Sequence, residues 1–275
     1  KNKKTTIKEK LHDVSSKAQI LTAFSSLKGK ILNIRDVEQG LDQLNRLSSS
    51  NATMKIVPSK KQGYSKIIIS KNKQSRTTRV RLGVNNSGQK QTGPYNGKII
   101  LEQDNLLKLS DSIYAVYTHD LADRSEDRNS KNLYTSLNVP FGYWNFSTSY
   151  IDSTYLNTIQ GTNTTIKTSG KSTFNTFKVE RKIFRNKRNK VGIFTSLDLK
   201  NTKSYVEDVI NDVGSRKLSI MKLGLNHSIN SAKYGYFNYT LSHVFGVTNF
   251  GAKEDIGVLD EFTPHAQYKK YTLDI

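Results

Sequence analysis

Two periodicities divide the chain. In its first part, Ile34, Val37, Leu41, Leu44 and Leu47 recur at intervals of three and four, the spacing that gathers side chains on one face of an amphipathic helix. Asn33 stands at the N-cap, Asp36 lies near the positive end of the helix dipole, and Ser48-Ser49-Ser50-Asn51 ends the helix. A shorter helix is expected over residues 18–27, with Ile20, Leu21, Phe24 and Leu27 on one side. Strands are expected at 7–11, 52–57 and 65–70, the last two joined by a turn containing Pro58 and Gly63. The order β-α-α-β-β over residues 1–72 predicts a small sheet with two helices on one face. In that order the last strand can pair with both others, which leaves the 52–57 strand at an edge.

From residue 77 the period changes to two. Leu133, Thr135, Leu137 and Val139 alternate with Asn132, Tyr134, Ser136 and Asn138. Trp144, Phe146, Thr148 and Tyr150 alternate with Asn145, Ser147 and Ser149. Met221, Leu223 and Leu225 do so with Lys222, Gly224 and Asn226, and Phe237, Tyr239 and Leu241 with Asn238, Thr240 and Ser242. Each strand has one wet and one apolar face over about nine to eleven residues, the span of a tilted membrane strand. The expectation is mainly β: a transmembrane antiparallel β-barrel, of which residues 77–275 supply about ten strands, each paired with its sequence neighbour.

The connections sharpen this. Residues 119–130, 153–173, 201–213 and 246–264 read as longer loops, and 140–142, 185–190 and 230–232 as short turns. Long external loops and short periplasmic turns are the rhythm of outer-membrane barrels. A soluble sandwich has no reason to keep it.

Composition narrows the class. The chain of 275 residues has 43 Lys+Arg against 23 Asp+Glu, which predicts a cationic surface or lumen. The positive charge is spread over strand ends and turns with no basic helix, so a nucleic-acid partner is not expected. The densest cluster, Arg185-Asn186-Lys187-Arg188-Asn189-Lys190, reads as a solvated turn, with contact to anionic headgroups or a partner as the alternative. There is no cysteine, hence no disulfide framework or thiolate metal site. His12, His119, His227, His243 and His265 lack metal-ligand spacing. Asp104, Asp111 and Glu102 cluster near one turn, where hydrogen bonding to strand ends accounts for them. No nucleophile elbow, phosphate loop or zinc motif occurs. No enzyme, cofactor or metal is expected. The start at Lys1-Asn2-Lys3-Lys4 and the end inside a strand pattern at Tyr271-Thr272-Leu273-Asp274-Ile275 lead us to expect a segment of a longer protein.

The stretch Ile31-Leu32-Asn33-Ile34-Arg35-Asp36-Val37-Glu38-Gln39-Gly40-Leu41-Asp42-Gln43-Leu44-Asn45-Arg46-Leu47 resembles the second POTRA domain of two-partner secretion outer-membrane transporters, the hemolysin-activator type within the Omp85 superfamily. Asn51-Ala52-Thr53-Met54-Lys55-Ile56-Val57-Pro58, Asn86-Ser87-Gly88, Thr92-Gly93, Asp104-Asn105-Leu106-Leu107 and Asp111 extend the resemblance. It implies a barrel of about sixteen strands, a further POTRA domain upstream, and an inward-folded loop beyond the strands present here. It also implies a place in a Gram-negative outer membrane with the POTRA module in the periplasm, and export of a large partner protein in extended form. A monomeric transporter in contact with outer-membrane lipid is expected. An assembly or insertion factor of the same superfamily, a surface β adhesin and a passive porin are the rivals.

Two sets of residues follow from this reading. Leu133, Leu137, Trp144, Phe146, Phe237, Tyr239 and Leu241 are expected to face lipid. The edge strand at Thr53, Lys55 and Val57 is expected to dock the exported protein by strand addition.

Overall fold

The computed structural model describes residues 4–9, 17–25, 27, 30–73, 76–89, 92–121, 128–233, 235–257 and 263–275. The first part holds β1 (Lys4–Glu9), α1 (Lys17–Ala23), α2 (Ile34–Asn45), β2 (Ser50–Pro58) and β3 (Tyr64–Lys73). Its sheet has the order β1-β3-β2, with β1 parallel and β2 antiparallel to β3. β3 is therefore central and β2 lies at an edge, as the element order requires. Residues 10 and 11 of the expected first strand lie outside the described residues.

The core of this part is the expected helical stripe laid on the sheet. Val37 and Leu44 are buried with Ile20, Phe24, Leu27, Ala52, Ile67 and Ile69, and Leu41 packs against them; Leu47 is also buried but stands past the end of α2 at Asn45. Ile34 and Leu21 face outward instead. Leu21 sits on the far side of a helix of only seven residues, which ends at Ala23, so Phe24 and Leu27 reach the core from the following turn. Asn33 caps α2, its side chain accepting from the Arg35 amide at 2.9 Å. The helices cross closely at Gly40, where a Cβ would stand 2.2 Å from the Phe24 ring.

The second part is an antiparallel meander. Its strands are β4 (Thr78–Asn85), β5 (Asn96–Asp104), β6 (Ser112–Asp120), β7 (Asn129–Phe141), β8 (Trp144–Gln160), β9 (Thr165–Arg185), β10 (Asn189–Val206), β12 (Arg216–Ser231), β13 (Gly235–Val247) and β14 (Lys269–Asp274). The two-residue β11 (Val209–Ile210) folds back on β10. Ten strands follow one another in sequence order from β4 to β14, and among the described residues those two do not pair with each other.

Strands are longer than the alternation suggested. The loops expected at 153–173 and 201–213 are mostly strand: β8 and β9 run to a tight connection at 161–164, and β10 runs on to Val206. β8, with 17 residues, is about 56 Å long at about 3.3 Å per residue. An apolar belt is only about 25 Å tall, and a strand tilted by about 45° crosses the membrane in about nine to eleven residues, so the hairpin continues past it. Thr, Ser and Asn carry this extension because a two-sided polar ladder needs no apolar face.

Candidate functional site

Opposite residues in an antiparallel ladder share a face, so the register sorts the wall. One face carries Arg79, Glu102, Asn138, Ser147, Ser149, Lys178, Glu180, Asp198, Lys222 and Ser242. The other carries Leu82, Ile99, Leu101, Tyr117, Phe177, Ile193, Leu223 and Leu273, all of them exposed. Leu133, Leu137, Trp144, Phe146, Phe237, Tyr239 and Leu241 all fall on this apolar face. None belongs to a buried core. Trp144 and Phe146 stack at 6.3 Å, with the Arg181 guanidinium 5.0 Å over the indole. The polar face is charged and internally paired: Lys222 lies 2.6 Å from Asp198, and Lys178 sits over the Phe194 ring at 4.2 Å.

The turns at one end of the wall seat the helices of the first part. In the β7–β8 turn, the Gly142 amide donates to the Thr22 carbonyl at 2.9 Å and lies 3.1 Å from Gln43 Oε1. Gln39 donates to the Gly142 carbonyl at 3.0 Å. Gly142 has φ +57, a conformation that costs glycine nothing, and a Cβ there would stand 2.8 Å from Ser25 Oγ. Tyr143 donates its hydroxyl to Asp36 at 2.6 Å. Burial and that carboxylate push the phenol well above its ordinary range.

The β9–β10 turn contributes charge. Arg185 donates to Gln39 Oε1 and to Asp42, each at 2.8 Å, and Lys190 donates to Asp42 at 2.6 Å. Burial raises the Asp42 carboxyl, and the hydrogen bonds from Arg185 and Lys190 outweigh it, holding the group below its ordinary value. This corrects the reading of 185–190 as a solvated turn: the Arg185 side chain is only 7% exposed. Its ends, Arg185 and Lys190, are taken up by α2, while Lys187 and Arg188 are exposed.

A third turn completes the seat. Asp104, at the end of β5, accepts from the Ser49 amide at 3.1 Å and from Arg79 at 3.1 Å. Asp111 is fully buried and accepts from the Leu107 and Leu109 amides, which orders the β5–β6 turn. Gln19 donates to Ser110 at 2.8 Å. Arg46, just past α2, reaches Asn138 and Asn145 on the polar face of the wall. Gln19, Gln39, Asp42, Gln43, Arg46 and Tyr143 were not singled out from the sequence. The signal was a second, polar stripe on α2 at 39, 42, 43 and 46, which the apolar stripe overshadowed.

Thr53, Lys55 and Val57 lie on β2 opposite Ser70, Ile68 and Lys66. Their side chains occupy the sheet face away from the helices, since Ala52 and Met54 pack toward the core. At the start of the strand, Asn45 Oδ1 accepts from the Ala52 amide at 2.6 Å and Asn45 Nδ2 donates to the Ala52 carbonyl at 2.9 Å. His227 contacts Tyr239 and Asn189, and His243 lies against Tyr271 and Phe245. Among the described residues no group of acidic and histidine side chains is placed to hold a metal.

Residues 63–275 match the family model described as haemolysin secretion/activation protein ShlB/FhaC/HecB. The chain belongs to this family. Residues 4–58 match a POTRA domain model. Over 255 residues the chain is 32% identical to the outer membrane transporter CdiB of Dickeya dadantii, covering 92% of this chain and 44% of that protein. It is 28% identical over 230 residues to the hemolysin transporter protein ShlB of Serratia marcescens, covering 83% of this chain and 41% of that one. The solved structure of CdiB from Escherichia coli superposes with a TM-score of 0.90 at 26% identity, covering 99% of this chain and 50% of that chain. A structure of BamA from Haemophilus ducreyi lacking POTRA domains 1-3 shares the fold alone, with a TM-score of 0.51 at 16% identity, over 92% of this chain and 49% of that one. The chain thus spans about half the length of these relatives or less. As a member of this family it is part of an outer-membrane β-barrel with a POTRA domain.

Proposed function

We propose that the whole protein is an outer-membrane transporter that exports a large partner polypeptide through its barrel after docking it on POTRA domains. Residues 1–72 form the periplasmic docking module and residues 77–275 the first part of the barrel. The observation that carries this reading is the two-faced wall seated on the module. A charged, hydrogen-bonding face offers an extended chain a wet path, so its backbone groups never meet lipid. The apolar face, with Leu133, Leu137, Trp144, Phe146, Phe237, Tyr239 and Leu241, meets the lipid. The transporter works as a monomer. The open edge of β2, the strand that carries Thr53, Lys55 and Val57, docks the exported polypeptide by strand addition, which needs only main-chain complementarity.

Deletion of the gene tests this. A large polypeptide should vanish from the culture medium and return on complementation, while the set of proteins inserted in the outer membrane stays the same. A general loss of outer-membrane proteins would support the rival, an assembly factor of the same superfamily.

A further inference from the structure

The usable edge of β2 is much shorter than the strand. In an antiparallel pair, opposite residues alternately exchange both main-chain bonds or none, and the groups of the second kind point away from the partner. The Ser59 amide donates to the Tyr64 carbonyl at 3.1 Å, one step beyond the pairing of Pro58 with Ser65. Counting back by twos, Val57, Lys55 and Thr53 exchange their bonds with Lys66, Ile68 and Ser70. Their main-chain groups are spent on β3. Pro58, Ile56, Met54 and Ala52 turn theirs to the open side.

Two further observations agree with this phase. Pro58 has no N–H, and it stands where the ladder requires none. Asn45 grips the amide and carbonyl of Ala52 together, from outside the β2–β3 pair. Its carboxamide does for Ala52 what a neighbouring strand would do.

We infer that the docking edge is a two-residue window, Met54 and Ile56, closed at one end by the Asn45 clip and at the other by Pro58. This rests on the edge-docking reading above and deepens it. The window offers two amides and two carbonyls, and Pro58 adds one carbonyl. Its occupant is an extended segment of the exported polypeptide. On the helix side that segment lies against Ile56, which is 40% exposed, and so presents an apolar side chain there. On the other face it meets Lys55, which shares that face with Lys66, and so presents an acidic or polar side chain.

The test uses the full-length transporter in its native outer membrane. The probe is the large polypeptide whose appearance in the medium depends on the transporter gene. A photoreactive benzoylphenylalanine at Lys55 should capture that polypeptide, and one at Asn51 should not. Ile56→Pro removes a free donor and leaves the β2–β3 ladder whole, so export should fall about ten-fold with the module still protease-resistant. Lys55→Pro cuts the ladder itself and should unfold the module. Asn45→Ala frees Ala52 and should bring capture at Asn51. Capture at Lys55 with undiminished export by Ile56→Pro would overturn the window and leave docking standing. Absence of capture at Lys55 would overturn the docking reading itself. Should Ile56→Pro loosen the module, the Asn45→Ala arm decides alone, and no new capture at Asn51 overturns the window.

Discussion

The guanidinium of Arg185, in a turn of the barrel, donates a 2.8 Å hydrogen bond to the carboxylate of Asp42 on α2. The two lie 143 positions apart in sequence, and their pairing fixes how the module sits beneath the wall. Asp42→Ala leaves Arg185, a nearly buried cation, without its principal carboxylate. We expect this to weaken the seat by about 1–3 kcal/mol and to exceed the effect of Lys190→Ala, whose ammonium is more solvated. Broadening of a spin-label distance distribution between module and barrel checks it.

The same pair sets a pH dependence. Hydrogen bonds from Arg185 and Lys190 hold the Asp42 carboxyl below its ordinary 3.8 against the opposing effect of burial. A group whose folded value is depressed contributes fully above its unfolded value and loses that contribution as pH falls through the folded one. The label distances should therefore be unchanged from neutral down to about pH 5 and should loosen only in stronger acid. Loosening that begins near neutrality would show that another group controls the seat.

Substitutions on the two faces of the wall should separate cleanly. Leu137→Arg or Phe146→Arg places a cation in the apolar belt and should cost about 2–4 kcal/mol near mid-bilayer. Ser147→Arg and Ser149→Arg, on the polar face of the same strand, should cost far less. Denaturant titration of the full-length protein refolded into phospholipid vesicles measures both. Equal losses on both faces would refute the lipid assignment.

Gly40→Ala probes the helix crossing. The new methyl would overlap the Phe24 ring, since an ideal Cβ lies 2.2 Å from it. We expect a loss of about 1–3 kcal/mol from overpacking, with lowered thermal stability of the module and normal barrel insertion. Phe24→Leu in the same chain should restore part of it.

Regular patterns made most of the fold legible in advance. The stripe Val37, Leu41 and Leu44 located α2, and the alternation around Leu137 and Phe146 located both wall faces, because an element with one apolar and one polar face carries a strict period. Strand ends were less legible. Between 153 and 173 the residues are polar on both sides, so nothing in the hydropathy marks where a ladder stops. The seat was hidden for a different reason. Gln39, Asp42 and Gln43 look like an ordinary solvated helix face until the turns at Gly142 and Arg185 are brought against them. Similarly, the sequence shows Thr53, Lys55 and Val57 at an edge, but which main-chain groups stay open depends on the hydrogen-bonding phase, and that follows from Ser59, Pro58 and Asn45 together.

The clip at Asn45 also gives the molecule a short load path. A tension applied at Ala52 passes through the two carboxamide bonds into the last turn of α2. From there the stiff rod of the helix carries it to Gln43, Asp42 and Gln39, and through them to the hairpins at Gly142 and Arg185. No flexible tether intervenes between Ala52 and these hairpins. A load on β2 thus reaches four strands of the wall at once, so displacement of the module and strain in the turns of the wall are mechanically one event.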